Sequence, residues 1–297
     1  MSVLSTPSVI LEHLRRVEPD AEFLGSLPHL VSSNGKHYYA KTGSGSEAEQ
    51  FAGEAESLIQ MAAAAPGLAP RVIAAGVDGI DGNRPYMISE YKNLASLDDS
   101  AARRLGTRLA TELHQYSGPQ KRFGFGLPTY CGATRLQNGW FDTWDLCFSA
   151  MIGDLLSQLE KKGGHASLCT KGQQVRQKAI PKLLGSLAIR PALLHGDLWS
   201  GNMGSDTGTG EPVIFDPASY YGHNEADLAI ARIFGGIPKT FYEAYHQRFP
   251  KAEPVEQYEL RGDLYQLFHY LNHTLLFGGH YATSAEKKMD NLLRAAL

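Results

Sequence analysis

The stretch from Leu193 to Pro217, LLHGDLWSGNMGSDTGTGEPVIFDP, limits what this chain can be more than any other. It sets an acid, Asp197, on a turn after an apolar run, an amide, Asn202, five positions later, and a second acid, Asp216, at the end of another apolar run. Met203 to Ser205 and Val213 to Phe215 read as two short strands, and the DTGTG between them is rich in the residues a hairpin turn needs. Such a hairpin would bring Asn202 and Asp216 side by side. Phosphoryl transfer asks a protein for a base facing the attacking hydroxyl and for hard oxygen ligands that hold Mg²⁺ across the phosphates. Asp197 can supply the first, and Asn202 with Asp216 the second.

The rest of the composition is compatible with an enzyme of this kind. A chain of 297 residues with 43 % hydrophobic content can bury one large or two packed cores. A formal charge of −3 and a pI near 6.4 offer no basic field, so nucleic acid and anionic lipid are not expected partners. The three cysteines, Cys131, Cys147 and Cys169, are odd in number and lack C-x-x-C spacing, which suits a reducing compartment without disulfides. No apolar run is long enough to span a bilayer, and the N-terminal stretch is not of signal-peptide type, so a cytoplasmic protein without a membrane partner is expected. Nothing in the chain fixes an oligomeric state.

Taken in order, the chain starts with a short helix carrying Ile10, Leu14 and Val17 at helical spacing. Three strands follow between Ala21 and Lys41, the last two joined by an Asn34-Gly35 turn. Ser46 and Glu49 suggest a capping box opening a helix from Glu47 to about Ala65. Strands over Pro70–Val77 and Pro85–Glu90, joined by the turn-rich DGIDGN, bring the count to five, and SEYKN leads out as a linker. From Asp98 the pattern is helical, with Ala102, Leu105, Leu109 and Leu113 on one face. Gly163 to Gly172 reads as a polar connection and Val175 to Leu187 as helix. Asn224 suits the cap of a helix over Glu225–Phe234, followed by amphipathic helices over Phe241–Phe249 and Tyr258–Leu276. His269 and His273 share a helix face, but without an H-E-x-x-H companion their spacing is weak support for zinc.

HGDLWSGN, IFDPASYYGH and YLNHTLLFG together resemble the fructosamine-3-kinase and ketosamine-3-kinase family, relatives of the aminoglycoside phosphotransferases. The resemblance implies an α+β, two-lobed, protein-kinase-like fold: a small five-stranded antiparallel lobe over 1–92 that binds nucleotide, and a mainly helical catalytic and substrate-binding lobe over 93–297. It implies ATP and Mg²⁺ as cofactors and phosphorylation of the 3-hydroxyl of ketosamines, either small molecules or glycated proteins, leading to deglycation and repair. Carried over position by position, it makes Asp197 the base and Asn202 and Asp216 the metal ligands. Lys41, in YYAK, becomes the phosphate-bridging lysine, and Glu54, in FAGEAESL, its partner. The backbone around Glu90 and Tyr91 becomes the adenine-binding hinge, Trp199 and His273 face the sugar, and His114, His195 and Asp227 brace the catalytic loop. The chain departs from the pattern at Leu24–Pro28, where a phosphate-covering loop would be glycine-rich and only one glycine stands; an amide of Gly25 or Ser26 is the most that stretch is expected to contribute. Two other readings stay open from sequence: a kinase for aminoglycosides, choline or another metabolite, and a catalytically silent nucleotide-binding scaffold.

Overall fold

The computed structural model describes residues 6–79 and 83–296, so Ile80 to Gly82 of the DGIDGN turn lie outside the described residues. Helix α1 (Ser8–Val17) is followed by β1 (Phe23–Ser26), β2 (His29–Ser32), β3 (His37–Thr42), helix α2 (Ala48–Ala64), β4 (Val72–Asp78) and β5 (Arg84–Glu90). The five strands make one antiparallel sheet in the order β1-β2-β3-β5-β4. Its outer face buries Leu30, Tyr38, Ala40, Tyr86 and Ile88 against Ile10 and Leu14 of α1. The Glu18 carboxylate at the end of α1 accepts hydrogen bonds from the Tyr38 hydroxyl, from Asn34 at 2.8 Å and from Ser32 at 3.3 Å, tying the helix to the β2–β3 hairpin. Helix α2 packs along the sheet, with Phe51, Leu58 and Met61 buried as their spacing implies.

A two-residue strand, β6 (Leu94–Ala95), leads into α3 (Asp99–Thr111), whose Asp98 cap accepts the Ala101 amide at 2.7 Å. A small hairpin, β7 (Tyr130–Cys131) and β8 (Thr134–Arg135), interrupts the aromatic loop before α4 (Trp144–Lys162), α5 (Ala166–Gln174) and α6 (Ile180–Leu184). Then come β9 (Ala192–Leu194), the hairpin β10 (Met203–Asp206) and β11 (Pro212–Ile214), β12 (Tyr220–Gly222), and helices α7 (Glu225–Ile230), α8 (Lys239–Arg248), α9 (Tyr258–Phe277) and α10 (His280–Ala296). The second lobe is built on Trp144, Phe148, Tyr265 and Phe268, all essentially solvent-free. Tyr265 turns its hydroxyl to two partners, Trp144 Nε1 at 3.0 Å and His223 Nδ1 at 2.7 Å, so the polar tip costs the core nothing. A buried Arg261 forks onto Glu225 at 2.7 and 3.0 Å and fixes α7 to α9.

Three local expectations need correction. Gly163 to Gly172 is not simply a polar connection: α5 begins at Ala166, because Leu168 and Cys169 bury into the helical core and Gly172 lets the Leu156 side chain lie where a Cβ would otherwise stand. The capping carboxylate is Glu47, which takes the Ser44 amide at 2.8 Å, and not Glu49, because a 3₁₀ turn over Gly45–Glu47 precedes α2. Asn224 places no side-chain cap on α7 but donates to the Tyr245 hydroxyl at 2.9 Å, and α7 itself ends at Ile230.

Helices α3 and α8 approach closely enough that a Cβ on Gly106 would stand 2.2 Å from the Phe241 carbonyl oxygen. Gly106→Ala is expected to force the pair apart and destabilise the fold by about 1–3 kcal/mol, read as a lower urea midpoint at unchanged slope; an unshifted midpoint would show that the two helices can part freely.

Candidate active site

The stretch from Leu193 to Pro217 is shaped by backbone before any side chain is considered. Gly196 sits at φ +84°, and a Cβ there would stand 2.1 Å from the Ala218 carbonyl oxygen, so only glycine fits the turn. The turn is held from below by Asp227, whose carboxylate accepts the His195 amide at 2.7 Å and the Gly196 amide at 2.9 Å, and pairs with His114 Nε2 at 3.2 Å. Burial works against that charge, but the hydrogen bond and charge of His114 outweigh it and hold the Asp227 carboxyl below its ordinary value. His195 bridges the two arms of the site: its Nδ1 accepts the Asp197 amide at 3.2 Å, which leaves Nε2–H to donate to the Phe215 carbonyl at 2.9 Å. Burial lowers its pKa and keeps it neutral in that role.

The predicted hairpin forms, with Met203 opposite Ile214, and the Phe215 amide bonds the Asn202 carbonyl at 3.0 Å. Asn202 spends its Nδ2 on Asp197, 2.9 Å from the carbonyl and 3.1 Å from Oδ2, which leaves Oδ1 as a free oxygen donor. Asp216 occupies the left-handed region, φ 58°, a conformation that Asp tolerates better than most residues. Its exposed carboxylate lines the same cavity as Lys41 and Glu54. Two oxygen donors beside a cavity that carries Lys41 suit a hard divalent ion such as Mg²⁺. Asp197 itself is pushed up to about 7, chiefly by burial and then by the neighbouring charge of Asp216.

Across the cleft Lys41 Nζ lies 2.5 Å from Glu54. The structure also separates the four acids of that region: Glu47 caps, Glu49 takes Tyr130 and Arg135 at 2.6 Å each, and Glu56 bonds Gln60. A cavity of about 380 Å³ is lined by Lys41, Glu54, Met87, Glu90, Tyr91 and Asp216 among others. The amides of Glu90 and Tyr91 are already spent inside the sheet, on Arg71 and His37 carbonyls at 3.0 and 3.4 Å. The Lys92 amide is the next donor along the hinge without a partner among the described residues. Neither Gly25 nor Ser26 lines the cavity; β1 and β2 are joined by Leu27-Pro28 alone, and the Ala40 amide pins the Pro28 carbonyl back onto the sheet at 2.8 Å.

Beyond Asp216 the cleft continues through a neck bounded by Gln50, Glu54, Tyr130, Gly132, Asp197 and Asp216. It opens into an outer cavity of about 420 Å³ that holds Cys131, Asp197, Trp199, Phe234 and His273. Trp199 meets Phe234 edge-on at 5.5 Å. His273 donates Nδ1–H to the His269 carbonyl at 2.8 Å, leaving Nε2 as the acceptor, among the rings of Phe234, Phe277 and Tyr281. The β7–β8 hairpin and Phe234 were missed from sequence as site walls. The hairpin's signal was the density of Gly and aromatics between Phe123 and Trp144, which reads equally as packing, and Phe234 carried none.

Residues 27–295 match the family model described as Fructosamine kinase. The chain is 37 % identical over 279 residues to the ketosamine-3-kinase of Mus musculus, covering 86 % of this chain and 87 % of that one. It is 37 % identical over 258 residues to the chloroplastic protein-ribulosamine 3-kinase of Arabidopsis thaliana, covering 86 % and 76 % respectively. A solved structure of a candidate fructosamine-3-kinase from Thermobifida fusca superposes with a TM-score of 0.76 at 26 % identity, over 92 % of this chain and 93 % of that one.

A carboxyl whose pKa is higher in the folded chain than in the unfolded one binds its proton more tightly when folded. The cost of ionising Asp197 is therefore absent below the ordinary value of 3.8 and grows until the pH passes about 7. Asp197→Asn is expected to raise Tm at pH 8 and to lose that advantage as the pH falls towards 4; a Tm difference independent of pH would contradict the assignment.

Proposed function

Because the chain belongs to the fructosamine kinase family, we propose that it is an ATP-dependent kinase that phosphorylates the 3-hydroxyl of ketosamines, ribulosamine or fructosamine adducts on amines or on protein lysines. The observation that carries this reading is a row of three adjoining cavities, the first two sharing Glu54 and Asp216 and the last two Gly132 and Asp197, that leads from Lys41 to Trp199 and His273. Nucleotide at one end and sugar at the other would meet at the two acids.

In that arrangement Asp197 accepts the proton of the sugar 3-hydroxyl as its oxygen attacks the γ-phosphorus, and the bond to the β-phosphate oxygen breaks with release of ADP. Asn202, fixed by its Nδ2, keeps Asp197 aimed at the hydroxyl. Lys41, oriented by Glu54, neutralises the α- and β-phosphates. The hinge backbone from Glu90 to Lys92 receives the adenine. Asn202 Oδ1 and the Asp216 carboxylate would hold Mg²⁺, whose charge offsets that developing on the phosphates. His273 Nε2 can accept from a sugar hydroxyl while Trp199 offers its face to the ring. The sheet-bearing residues 1–92 would serve the nucleotide and residues 93–297 the catalysis and the substrate. Phosphate on the third carbon makes the adduct decompose and frees the amine, a repair reaction.

No helix among the described residues is long and apolar enough to cross a membrane. The three cysteines are free and buried, which fits a reducing compartment such as the cytoplasm.

Mg-ATP-dependent phosphate transfer to ribulosamine and fructosamine conjugates of lysine is the direct test. Wild type should turn over at least one of them, and Asp197→Asn should lose roughly 10²- to 10⁴-fold in kcat, the usual weight of a positioned base. Transfer to an aminoglycoside or choline but to no ketosamine would sink the substrate assignment, and an unaffected Asp197→Asn would remove the base.

A further inference from the structure

Two side chains beside the proposed base, Cys131 and His269, have no part in the reaction just described. Cys131 Sγ from β7, a carboxylate oxygen of Asp197 and an imidazole nitrogen of His269 from α9 all lie within 4.8 Å of one another. The three come from separate elements and are buried or nearly so. His269 is 3 % exposed, and among the described residues its side chain makes no hydrogen bond; Nδ1 is buried without a partner. A buried imidazole left unpaired is uncommon, because the lost hydrogen bond is costly. Asn272 adds a second such atom. Its Nδ2 donates to the Cys131 carbonyl at 3.2 Å while its Oδ1 is buried and unpaired.

Thiolate, imidazole and carboxylate are the donor types of tetrahedral zinc sites, with bonds of about 2.0–2.3 Å that set neighbouring donors roughly 3.3–3.8 Å apart. A pair as far apart as 4.8 Å would have to close by about 1 Å to reach that range. Hard Mg²⁺ has no use for a thiolate. Cys131 and Asp197 both line the outer cavity, so a fourth position can be filled from that side by water, and Asn272 Oδ1 offers an acceptor nearby. The His269–His273 spacing is not what makes the site, since the Nδ1–H of His273 is committed to the His269 carbonyl.

We infer that Cys131, Asp197 and His269 form a binding site for a thiophilic divalent cation, Zn²⁺ by its chemistry, which occupies the carboxylate at the centre of the cleft and so switches the enzyme off. Binding releases the thiol proton to solvent. Metal capture depends only on these three side chains; the switching rests on the kinase reading.

The test titrates chelator-stripped protein with Co²⁺ as the spectroscopic stand-in. The wild type should develop a thiolate-to-cobalt charge-transfer band that saturates at one equivalent and is displaced by Zn²⁺. The near-isosteric Cys131→Ser should lose the band, since among the described residues Cys131 is the cysteine that stands with both a carboxylate and an imidazole. In the transfer assay with Mg-ATP in excess, Zn²⁺ should inhibit reversibly by chelator. His269→Gln, compared with its own metal-free rate, should need roughly tenfold more Zn²⁺ or beyond, as removing even an outer partner of a zinc ligand costs that much. A band missing from wild type, or surviving in Cys131→Ser, would overturn the site. Equal inhibition of wild type and His269→Gln would place the cation on the oxygen ligands instead and overturn the switch. The expected band in a protein that transfers no phosphate would uphold the metal site while the kinase reading falls.

Discussion

A single buried carboxylate organises the active region. Asp227 is almost solvent-free, yet it stays ionised because two backbone amides and His114 converge on it. An unpaired charge at that depth would be strongly destabilising, whereas a fully satisfied one is rigid. What it fixes is the path of the chain at His195 and Gly196, and hence the direction in which Asp197 leaves the turn. His114 in turn is held by Tyr245, and Tyr245 by Asn224, so the 3₁₀ turn after α3 (Leu113–Gln115), α7 and α8 all contribute to the aim of one side chain.

The two acids of the cleft stand in contrast to that hub. Burial, and after it the neighbouring charge of Asp216, raises the pKa of Asp197. Such an arrangement is poor for stability and useful for chemistry: it creates an appetite for positive charge where phosphates would have to be held. Asn202 mediates between them, donating to one acid and leaving an oxygen beside the other. The same attraction explains why a soft cation could be drawn to the Asp197 side, where Cys131 and His269 wait, and a hard one to the Asp216 side, where only oxygen is offered.

Much of this was legible in the sequence because it is written locally. The β10–β11 hairpin follows from DTGTG between two apolar runs, and the five strands and most helices from their periodicity. The Lys41–Glu54 pairing needed the resemblance as well, since four acids lie on or beside the start of α2; the structure separates them by what each touches. Less was legible where distant segments meet. Cys131, Asp197 and His269 are far apart in the chain, and no spacing rule joins them. Helix α5 was hidden by its polar and glycine-rich composition, because Gly172 serves packing against Leu156 rather than a turn. The spent amides of Glu90 and Tyr91 depend on sheet register, which sequence does not print.

Strand β6 was introduced only as a short link after the sheet. Its pairing with β10, Ala95 opposite Ser205 and Leu94 opposite Asp206, anchors the far end of the linker onto the hairpin that carries Asn202 and leads to Asp216. The connector between the lobes is therefore clamped at both ends, by β5 within the sheet and by β6 on the catalytic hairpin, with only Tyr91, Lys92 and Asn93 between. The lobes are also joined outside the linker: the Ile214 amide of β11 donates to the Leu68 carbonyl at 2.9 Å, and Glu49 of α2 takes Tyr130 and Arg135 of the β7–β8 hairpin. On one side Asp197, Asn202 and Asp216 are joined through the Asn202 side chain and the Phe215 amide; on the other Lys41 and Glu54 are joined across β3 and α2. The space between Lys41 and Asp216 is therefore braced from three sides, by the linker through β6, by Leu68 on β11 and by α2 on the β7–β8 hairpin, so its width is set by the packing of both lobes.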